Sequence, residues 1–163
     1  MRVVDYGLTK ETVFKVAHDL KRSGKKICFT HGAFDLFHYG HLYMLRKSAA
    51  KCDYLIVGID CDKNVSDYKN IDRPVIGERE RLEIISSLGC VDMAFIMRDP
   101  VKEETYKDLY KNMSPSFISY GNRFNYGDHI QKLGHDLGFG VKVFKDNIRS
   151  TSSIIKSIIN RHR

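Results

Sequence analysis

The sequence predicts an α/β protein with a Rossmann-like open parallel sheet of about five strands and helices on both faces. Short apolar runs typical of buried strands recur along the chain, and segments with helical periodicity lie between them. The length of 163 residues suits one hydrophobic core. With 42% hydrophobic and 29% charged residues, the composition argues against an intrinsically disordered chain.

The first elements are a leading helix and a strand–helix–strand unit. Residues 9–23 place apolar side chains on one face at helical spacing, behind Thr9 as a candidate N-cap. The run KKICFT (25–30) predicts a buried strand, HLYMLRKSAAK (41–51) a helix and YLIVGI (54–59) a second strand. Such a unit joins parallel strands through a crossover helix.

Helices and strands keep alternating to the end of the chain. We expect, in order, a helix over 78–88, a strand over 91–97, a helix over 102–112, a strand over 116–120, a helix over about 128–138, a strand over 141–144 and a final helix from Ser150. The chain is thus interpreted as one domain, with a leading helix in 1–26, an α/β core in 27–149 and a C-terminal helix in 150–163. Ligands of such sheets bind at the carboxyl ends of the strands, so functional residues should follow positions 30, 59, 97, 120 and 144.

The formal net charge of +7 is concentrated at the two ends of the chain. Residues 1–26 carry a net +4 and residues 142–163 a net +5, whereas the body between them carries −2. No long basic stripe therefore crosses the domain, which makes nucleic acid an unlikely partner.

Neither a membrane segment nor a metal-binding cysteine cluster is evident. The sequence contains no run of 18 apolar residues and no secretory signal, so we expect a cytoplasmic protein that does not bind membranes. The four cysteines contain no CxxC pair and are interpreted as reduced thiols, mostly in the core.

The most informative segment is THGAFDLFHYGHLYML (30–45), which leaves a strand and enters a helix. His38 and His41 lie three residues apart at the helix start, beside its unpaired amides and the positive end of its dipole. Such a position binds anions. Gly32 and Gly40 allow a ligand to approach the backbone closely, so the segment suits a polyphosphate. Metal ligation and ordinary helix capping by the two histidines are the alternatives.

The pattern HYGH, with the preceding G-A-F-D-L-F, resembles the HxGH signature of the cytidylyltransferase-like nucleotidyltransferase superfamily. Further similar segments follow in order: YLIVGIDCD (54–62), RPV (73–75), ERERLEIISSLGCVD (78–92) and RSTSSII (149–155). The resemblance is closest to the nucleotidyltransferase part of ADP-heptose synthase and next to glycerol-3-phosphate cytidylyltransferase. The chain departs from the heptose enzymes at His31, where they commonly have Asn, and in SYGNRFNYGDHI (119–130), which replaces K-G-G-D-Y.

The resemblance implies a reaction in which an oxygen of the acceptor attacks the α-phosphorus of an NTP and pyrophosphate leaves, without a covalent enzyme intermediate. His38 and His41 would contact the triphosphate as neutral or proton-sharing imidazoles, and a divalent cation, Mg²⁺, would assist. Chemistry of this kind depends mainly on positioning and on charge neutralisation.

The same resemblance assigns further residues to the site. Arg81 would reach the β- and γ-phosphates, with a solvated helix arginine as the alternative. Lys69 would supply an ammonium to the phosphates from a loop, and Lys63 competes for that role. Asp35, which lies inside the signature segment, is interpreted separately as a residue that orients a loop amide rather than one that takes part in the chemistry. The nucleotide-binding set comprises Thr30, Gly32, Ala33, Phe34, Gly40, Gly121, Ser150, Thr151 and Ser152.

The leading hypothesis is therefore an enzyme that transfers a nucleoside monophosphate, AMP in first place, from an NTP to a phosphorylated sugar of the heptose 1-phosphate type. Glycerol-3-phosphate cytidylyltransferase activity with CTP is the second hypothesis, in which the acceptor is a phosphorylated polyol. A non-catalytic nucleotide- or nucleic-acid-binding module is the third. Dimers are common among similar proteins, so a homodimer is a further expectation.

Overall fold

The computed structural model describes residues 8–121, 127–145 and 150–161. Five strands form one parallel sheet. The strands are β1 (Ile27–Gly32), β2 (Tyr54–Asp60), β3 (Met93–Met97), β4 (Phe117–Gly121) and β5 (Gly140–Phe144). The predicted fold class, a five-stranded parallel sheet with helices on both faces, is confirmed.

Seven helices lie in the described residues. They are α1 (Lys10–Arg22), α2 (Tyr39–Ala49), α3 (Asp62–Tyr68), α4 (Glu78–Ser86), α5 (Glu103–Met113), α6 (Gly127–Leu137) and α7 (Thr151–Arg161). The Thr9 hydroxyl caps α1, as expected, by accepting from Thr12 N at 3.4 Å. Helix α3 is an addition that the sequence pattern did not predict.

The order of strands across the sheet is β3-β2-β1-β4-β5, which places β1 at the point where the order reverses. β1 pairs along its whole length with β2 and through Cys28 and Phe29 with β4. Ligands in open α/β sheets bind beyond the carboxyl ends of the strands at such a reversal. The topology therefore directs attention to the residues that follow β1.

Successive side chains of β1 enter two different cores. Phe29 belongs to a cluster that packs the sheet against α1, α5 and α6, whereas Cys28 belongs to a cluster with α2 and α4 on the opposite face. This alternation follows from the two-residue period of a strand. Gly58 of β2 is required by close packing, because a Cβ there would collide with the side chain of Met97.

All four cysteines are reduced thiols, as predicted; Cys28 and Cys61 are buried, and Cys52 and Cys90 are partly buried. Among the described residues, no helix is both long and apolar enough to cross a bilayer.

Candidate active site

A cavity of about 510 Å³ opens at the carboxyl edge of the sheet, a size within the range of small-ligand sites. Its walls come from the segments after β1, β2 and β4 and from the start of α7, in agreement with the expected positions of functional loops. The structure brings every predicted site residue except Arg81 to this cavity. These residues are Thr30, Gly32, Ala33, Phe34, His38, Gly40, His41, Lys69, Gly121, Ser150, Thr151 and Ser152.

His38 and His41 lie together at the first turn of α2. Their rings stack with centroids 3.9 Å apart. His38 is the N-cap, and its Nδ1 accepts from Gly40 N at 3.1 Å, while His41 Nδ1 accepts from His38 N at 3.4 Å. Since both Nδ1 atoms accept from main-chain N–H groups, each neutral ring carries its hydrogen on Nε2. The histidines therefore cap the helix and also present Nε2–H donors.

The electrostatic environment keeps His41 neutral. Burial, followed by the neighbouring His38 and Lys69, lowers the pKa of His41 to about 3. A phosphate group would oppose this effect, because a negative charge close to an imidazole favours its protonated form. His41 is therefore suited to donate a hydrogen bond from Nε2 to an oxyanion without bringing a positive charge of its own.

The segment between β1 and α2 has an unusual backbone. Phe34 and Leu36 have φ values of 50° and 46°, in the left-handed region that side-chain-bearing residues seldom adopt. Such conformations persist only where the surroundings impose them. Here three parts of the chain hold the segment, namely residues 73–76, Arg81 of α4 and Thr151 of α7.

Asp35 is the centre of this network. Its carboxylate accepts from Val75 N at 3.0 Å and Ile76 N at 3.0 Å, and from Arg73 Nε at 2.7 Å. Burial tends to raise the pKa of Asp35, but these donors outweigh it, so the pKa lies below its usual value. The expectation that Asp35 orients loop amides is confirmed, and its main-chain oxygen also accepts from the Thr151 hydroxyl at 3.1 Å.

The side chain of Arg81 makes its hydrogen bonds within the protein. Arg81 is fully buried and does not line the cavity. Its guanidinium donates to the main-chain oxygens of Ala33, Asp60 and Ile76 and to the Asp62 carboxylate. This burial excludes the solvated helix arginine, whereas contact of Arg81 with a phosphate stays a prediction. Within the protein, Arg81 ties together the segments that follow β1 and β2.

The two candidate loop lysines lie in different environments. Lys63 is exposed and forms an ion pair with Asp67 at 2.7 Å, one turn along α3. Lys69 follows the end of α3 and lines the cavity. Its side chain is exposed, yet the protein groups around it displace part of its water, and this desolvation, followed by the charge of Arg73, lowers the pKa of Lys69. Of the two, the geometry favours Lys69 for contact with a bound anion.

The start of α7 forms the wall that faces α2. Ser150 Oγ accepts from Ser153 N at 3.2 Å, which makes it an N-cap, and the Thr151 hydroxyl is used by the main chain of Asp35. Ser152 is exposed at the cavity. A second helix N-terminus thus adds its dipole to the site. Arg149 of the RSTSSII segment lies outside the described residues.

Two glycines leave room for a ligand. A Cβ on Gly121 would meet nothing within 4 Å, and one on Gly32 would meet only the Phe34 ring at 3.9 Å. The space beside both residues is therefore available to a bound group. The distinctive segment SYGNRFNYGDHI continues through 122–126, which lie outside the described residues.

Several wall residues were not predicted from the sequence. They are Met44, Asp60, Tyr68, Val101, Tyr106 and Tyr120. The sequence does indicate Asp60 as a candidate, because it is an acidic residue at the end of a buried strand.

Two β1 residues at the cavity have partners within the protein. Thr30 donates to Met44 Sδ at 3.7 Å, and His31 Nε2 lies 2.7 Å from the Tyr110 hydroxyl. Burial lowers the pKa of His31 to about 4.

The two histidines have no third metal-binding side chain grouped with them in the described residues. Both Nδ1 atoms are engaged by main-chain N–H groups, and the part of the chain that the structure describes contains no group of three or more His, Cys, Asp or Glu side chains able to hold a metal.

Comparison with known proteins places these features in context. A family model described as cytidylyltransferase-like matches residues 29–157. The bifunctional protein HldE of Geotalea uraniireducens is 38% identical over 146 residues, 85% of this chain and 28% of that protein. HldE of Pelobacter propionicus is 34% identical over 150 residues, 87% of this chain and 29% of that protein. The chain thus spans less than a third of the length of these curated relatives.

Solved structures share the fold. The lipopolysaccharide core biosynthesis protein from Thermoplasma volcanium has a TM-score of 0.60 at 26% identity, over 78% of this chain and 100% of that one. Pantoate-beta-alanine ligase from Francisella tularensis has a TM-score of 0.62 at 17% identity, over 88% of this chain and 67% of that one.

Proposed function

This chain belongs to the cytidylyltransferase-like family and is a nucleotidyltransferase, and from this premise we propose the reaction that it catalyses. A nucleoside monophosphate passes from an NTP, ATP in first place, to a phosphorylated sugar of the heptose 1-phosphate type, and pyrophosphate is released. The observation that carries this proposal is the stacked pair His38 and His41, with two Nε2–H donors at a helix N-terminus in the cavity.

The reaction requires one bond to form and one to break. An oxygen of the acceptor phosphate attacks the α-phosphorus, and the bond from that phosphorus to the bridging oxygen of the β-phosphate breaks. Pyrophosphate leaves with the electron pair. The Nε2–H groups of His38 and His41 donate to the oxygens on which negative charge increases, which is where preorganised donors have their largest effect.

The rest of the cavity supports this role. The N-terminus of α7, with Ser150 and Ser152, forms the cavity wall opposite the two histidines. Its dipole stabilises a negatively charged ligand in the cavity. Lys69 adds an ammonium from the end of α3. Arg81 acts indirectly, since its bond to Ala33 O holds the segment on which the phosphates would rest.

A divalent cation, Mg²⁺, fits this site as a companion of the triphosphate. Mg²⁺ commonly keeps several waters and binds substrate phosphates with few protein ligands, so the triphosphate would supply most of its coordination. When bound, it would neutralise phosphate charge.

The acceptor class rests on two similarities. The motif resemblance to ADP-heptose synthase favours ATP and a heptose 1-phosphate, and the HldE relatives are similar over most of this chain. The Thermoplasma protein, 26% identical, is described as a lipopolysaccharide core biosynthesis protein, which favours an acceptor of the saccharide class.

The test is pyrophosphate release by the purified protein with each of the four NTPs and with heptose 1-phosphate, hexose 1-phosphates and glycerol 3-phosphate. We expect ATP with a sugar 1-phosphate to give the fastest release, and His41→Ala to reduce it about 100-fold or more. Release no faster than that of His41→Ala with every pair of substrates would refute the proposal. Fastest release with CTP and glycerol 3-phosphate would replace it with the second hypothesis.

A further inference from the structure

Asp60, the last residue of β2, has a carboxyl oxygen without a partner. Its residue surface is 4% exposed, and it lines the cavity. Oδ2 accepts from the Tyr68 hydroxyl at 2.7 Å, whereas the buried Oδ1 has no hydrogen-bond partner among the residues that the structure describes. Buried polar atoms are nearly always hydrogen-bonded, so an unpaired carboxyl oxygen in a residue of the cavity wall indicates a donor that the protein itself does not supply.

The position of Asp60 separates it from the proposed phosphate-binding wall. Along the sheet edge, β2 lies on one side of β1 and β4 on the other. The histidine pair follows β1, so a phosphate bound there has the end of β2 on one flank and Gly121 on the other. Two substrates joined at a phosphate would occupy these two flanks. Gly121 leaves its flank open, whereas Asp60 offers a hydrogen-bond acceptor on the other.

The surroundings of Asp60 favour a neutral donor over a cation. Arg81 Nη2 bonds to the main-chain oxygen of Asp60 at 2.8 Å, and Lys69 directly follows Tyr68 in the cavity wall. These two charges already offset the carboxylate. Burial raises the pKa of Asp60, while Tyr68 and then the charge of Arg81 act in the opposite direction. A ligand ammonium would meet two cations, whereas a hydroxyl would meet no such repulsion.

Aromatic surface lies in the same part of the cavity. The rings of His31 and Tyr106 stack with centroids 4.9 Å apart, and both residues line the wall together with Tyr68. Both faces of these two rings are already covered by other rings, so the surface open to the carbon–hydrogen bonds of a sugar is that of Tyr68, which is 38% exposed.

We propose that Asp60 selects the acceptor by accepting, through Oδ1, a hydrogen bond from one hydroxyl of a phosphorylated sugar. This inference rests on the proposed function and adds a specificity residue to it. It also explains why a carboxyl group is kept at a position where burial disfavours its charge. A site built to bond a hydroxyl rejects analogues that lack it, because its buried oxygen then stays unpaired.

The experiment compares the wild type with Asp60→Leu, which removes both oxygens, and Asp60→Asn, which keeps one acceptor oxygen. Asp92→Asn is the matched control, because the Asp92 carboxylate bonds Leu55 N at 2.8 Å at the opposite end of the sheet. The probes are mannose 1-phosphate, heptose 1-phosphate and the 2-, 3-, 4- and 6-deoxy analogues of mannose 1-phosphate. Turnover is followed as pyrophosphate release, and binding by calorimetry with an α,β-methylene NTP present.

We expect one deoxy position at which the wild type loses about 10- to 100-fold in kcat/KM, the effect of one hydrogen bond to a charged group. Asp60→Leu should lose its discrimination at that position, whereas Asp60→Asn keeps part of it. The control should discriminate like the wild type. The KM for the NTP should stay within about twofold in both Asp60 variants, since the proposed contact is to the acceptor alone.

Unchanged discrimination in Asp60→Leu would overturn the inference, and so would an equal loss of NTP and sugar phosphate binding, which would place Asp60 against the nucleotide. If the wild type binds sugar phosphates without turnover, the proposed function fails while calorimetry still tests Asp60. If the wild type binds no sugar phosphate, both proposals fail.

Discussion

The segment between β1 and α2 and the segment after α3 border the same cavity but are held very differently. Residues 33–36 are buried or partly buried, have two left-handed residues and are bonded to α4, α7 and residues 73–76. Residues 69–72 are all exposed, with Ile71 at 89%. Residues 33–36 are thus held firmly in place, and we call them the template. Residues 69–72 have few supporting contacts, and we call this segment, which carries Lys69, the arm.

This difference indicates a division of roles at an anion site. Donors that must match the geometry of a reacting phosphate need a preorganised support, because an error of about 1 Å can reduce the rate about 100-fold. A cation on a long side chain can adjust to its partner. Substitutions in the template should therefore reduce stability and activity together, whereas substitutions in the arm should reduce activity alone.

Arg81→Met is expected to have the largest effect on the template. It leaves the buried main-chain oxygens of Ala33, Asp60 and Ile76 without their donor, so the free energy of unfolding should fall by about 3 kcal/mol. Urea denaturation measures this loss. Arg79→Met, an exposed arginine of the same helix, is the control and should change stability by about 0.5 kcal/mol or less. Equal stability of the two variants would contradict the positioning role of Arg81.

Lys69→Ala should show the opposite behaviour. We expect kcat/KM to fall about 100-fold, as when one charge-stabilising donor is lost, while the free energy of unfolding changes by about 0.5 kcal/mol or less. Pyrophosphate release and urea denaturation measure the two quantities. Lys63→Ala, which breaks only an exposed ion pair, serves as the control and should keep near-normal turnover. A greater loss of activity in Lys63→Ala would exchange the roles of the two lysines.

The difference between local and long-range contacts also explains which parts of the fold and of the candidate site could be predicted from the sequence. The five strands and most helices were predictable because their apolar periodicity is local, and the spacing of His38 and His41 identified the template. Helix α3 was missed because DKNVSDY is short, polar and has a single buried apolar residue, Val65. Seven residues leave little periodicity to detect.

The support of the template could not be predicted, because it depends on contacts between distant parts of the chain. Arg81 lies 48 positions from Ala33, and Thr151 lies 116 positions from Asp35. The left-handed conformation of Phe34 has no local signal, since side-chain-bearing residues seldom adopt it without tertiary constraint. Arginine in a charged helix segment gives no sign that its side chain is buried.

Asp35→Asn should weaken the template by about 2 kcal/mol, less than Arg81→Met. Both Asp35 oxygens accept N–H groups, so an amide NH₂ would face the donors of Val75, Ile76 or Arg73. Thermal stability with and without ATP measures the loss of folding and of nucleotide binding. Asp72→Asn, in the exposed arm, is the matched control. If the two variants were equally stable, the carboxylate would not be what holds the segment.

His31, near the end of β1 and just before the template, gives the smallest expected effect, which is tested by pH. Its pKa is lowered by burial to about 4, against about 6.5 for an unperturbed histidine. The unfolded chain therefore binds more protons between these values, so stability is retained above pH 6.5 and lost as the pH falls towards 4. Between pH 6.5 and 5 the loss from His31 alone is about 1.5 kcal/mol.

The comparison of the wild type with His31→Phe isolates this contribution. The phenyl ring keeps the stacking with Tyr106 but cannot titrate, and the loss of the bond to Tyr110 lowers stability equally at pH 5 and 6.5. His41 titrates in both proteins, so its effect cancels in the difference. Urea denaturation at pH 6.5 and 5 should show a smaller pH effect in His31→Phe, whereas Asp72→Asn in the arm should match the wild type. Identical pH effects in His31→Phe and the wild type would mean that the end of β1, from which the template starts, admits a charged imidazole.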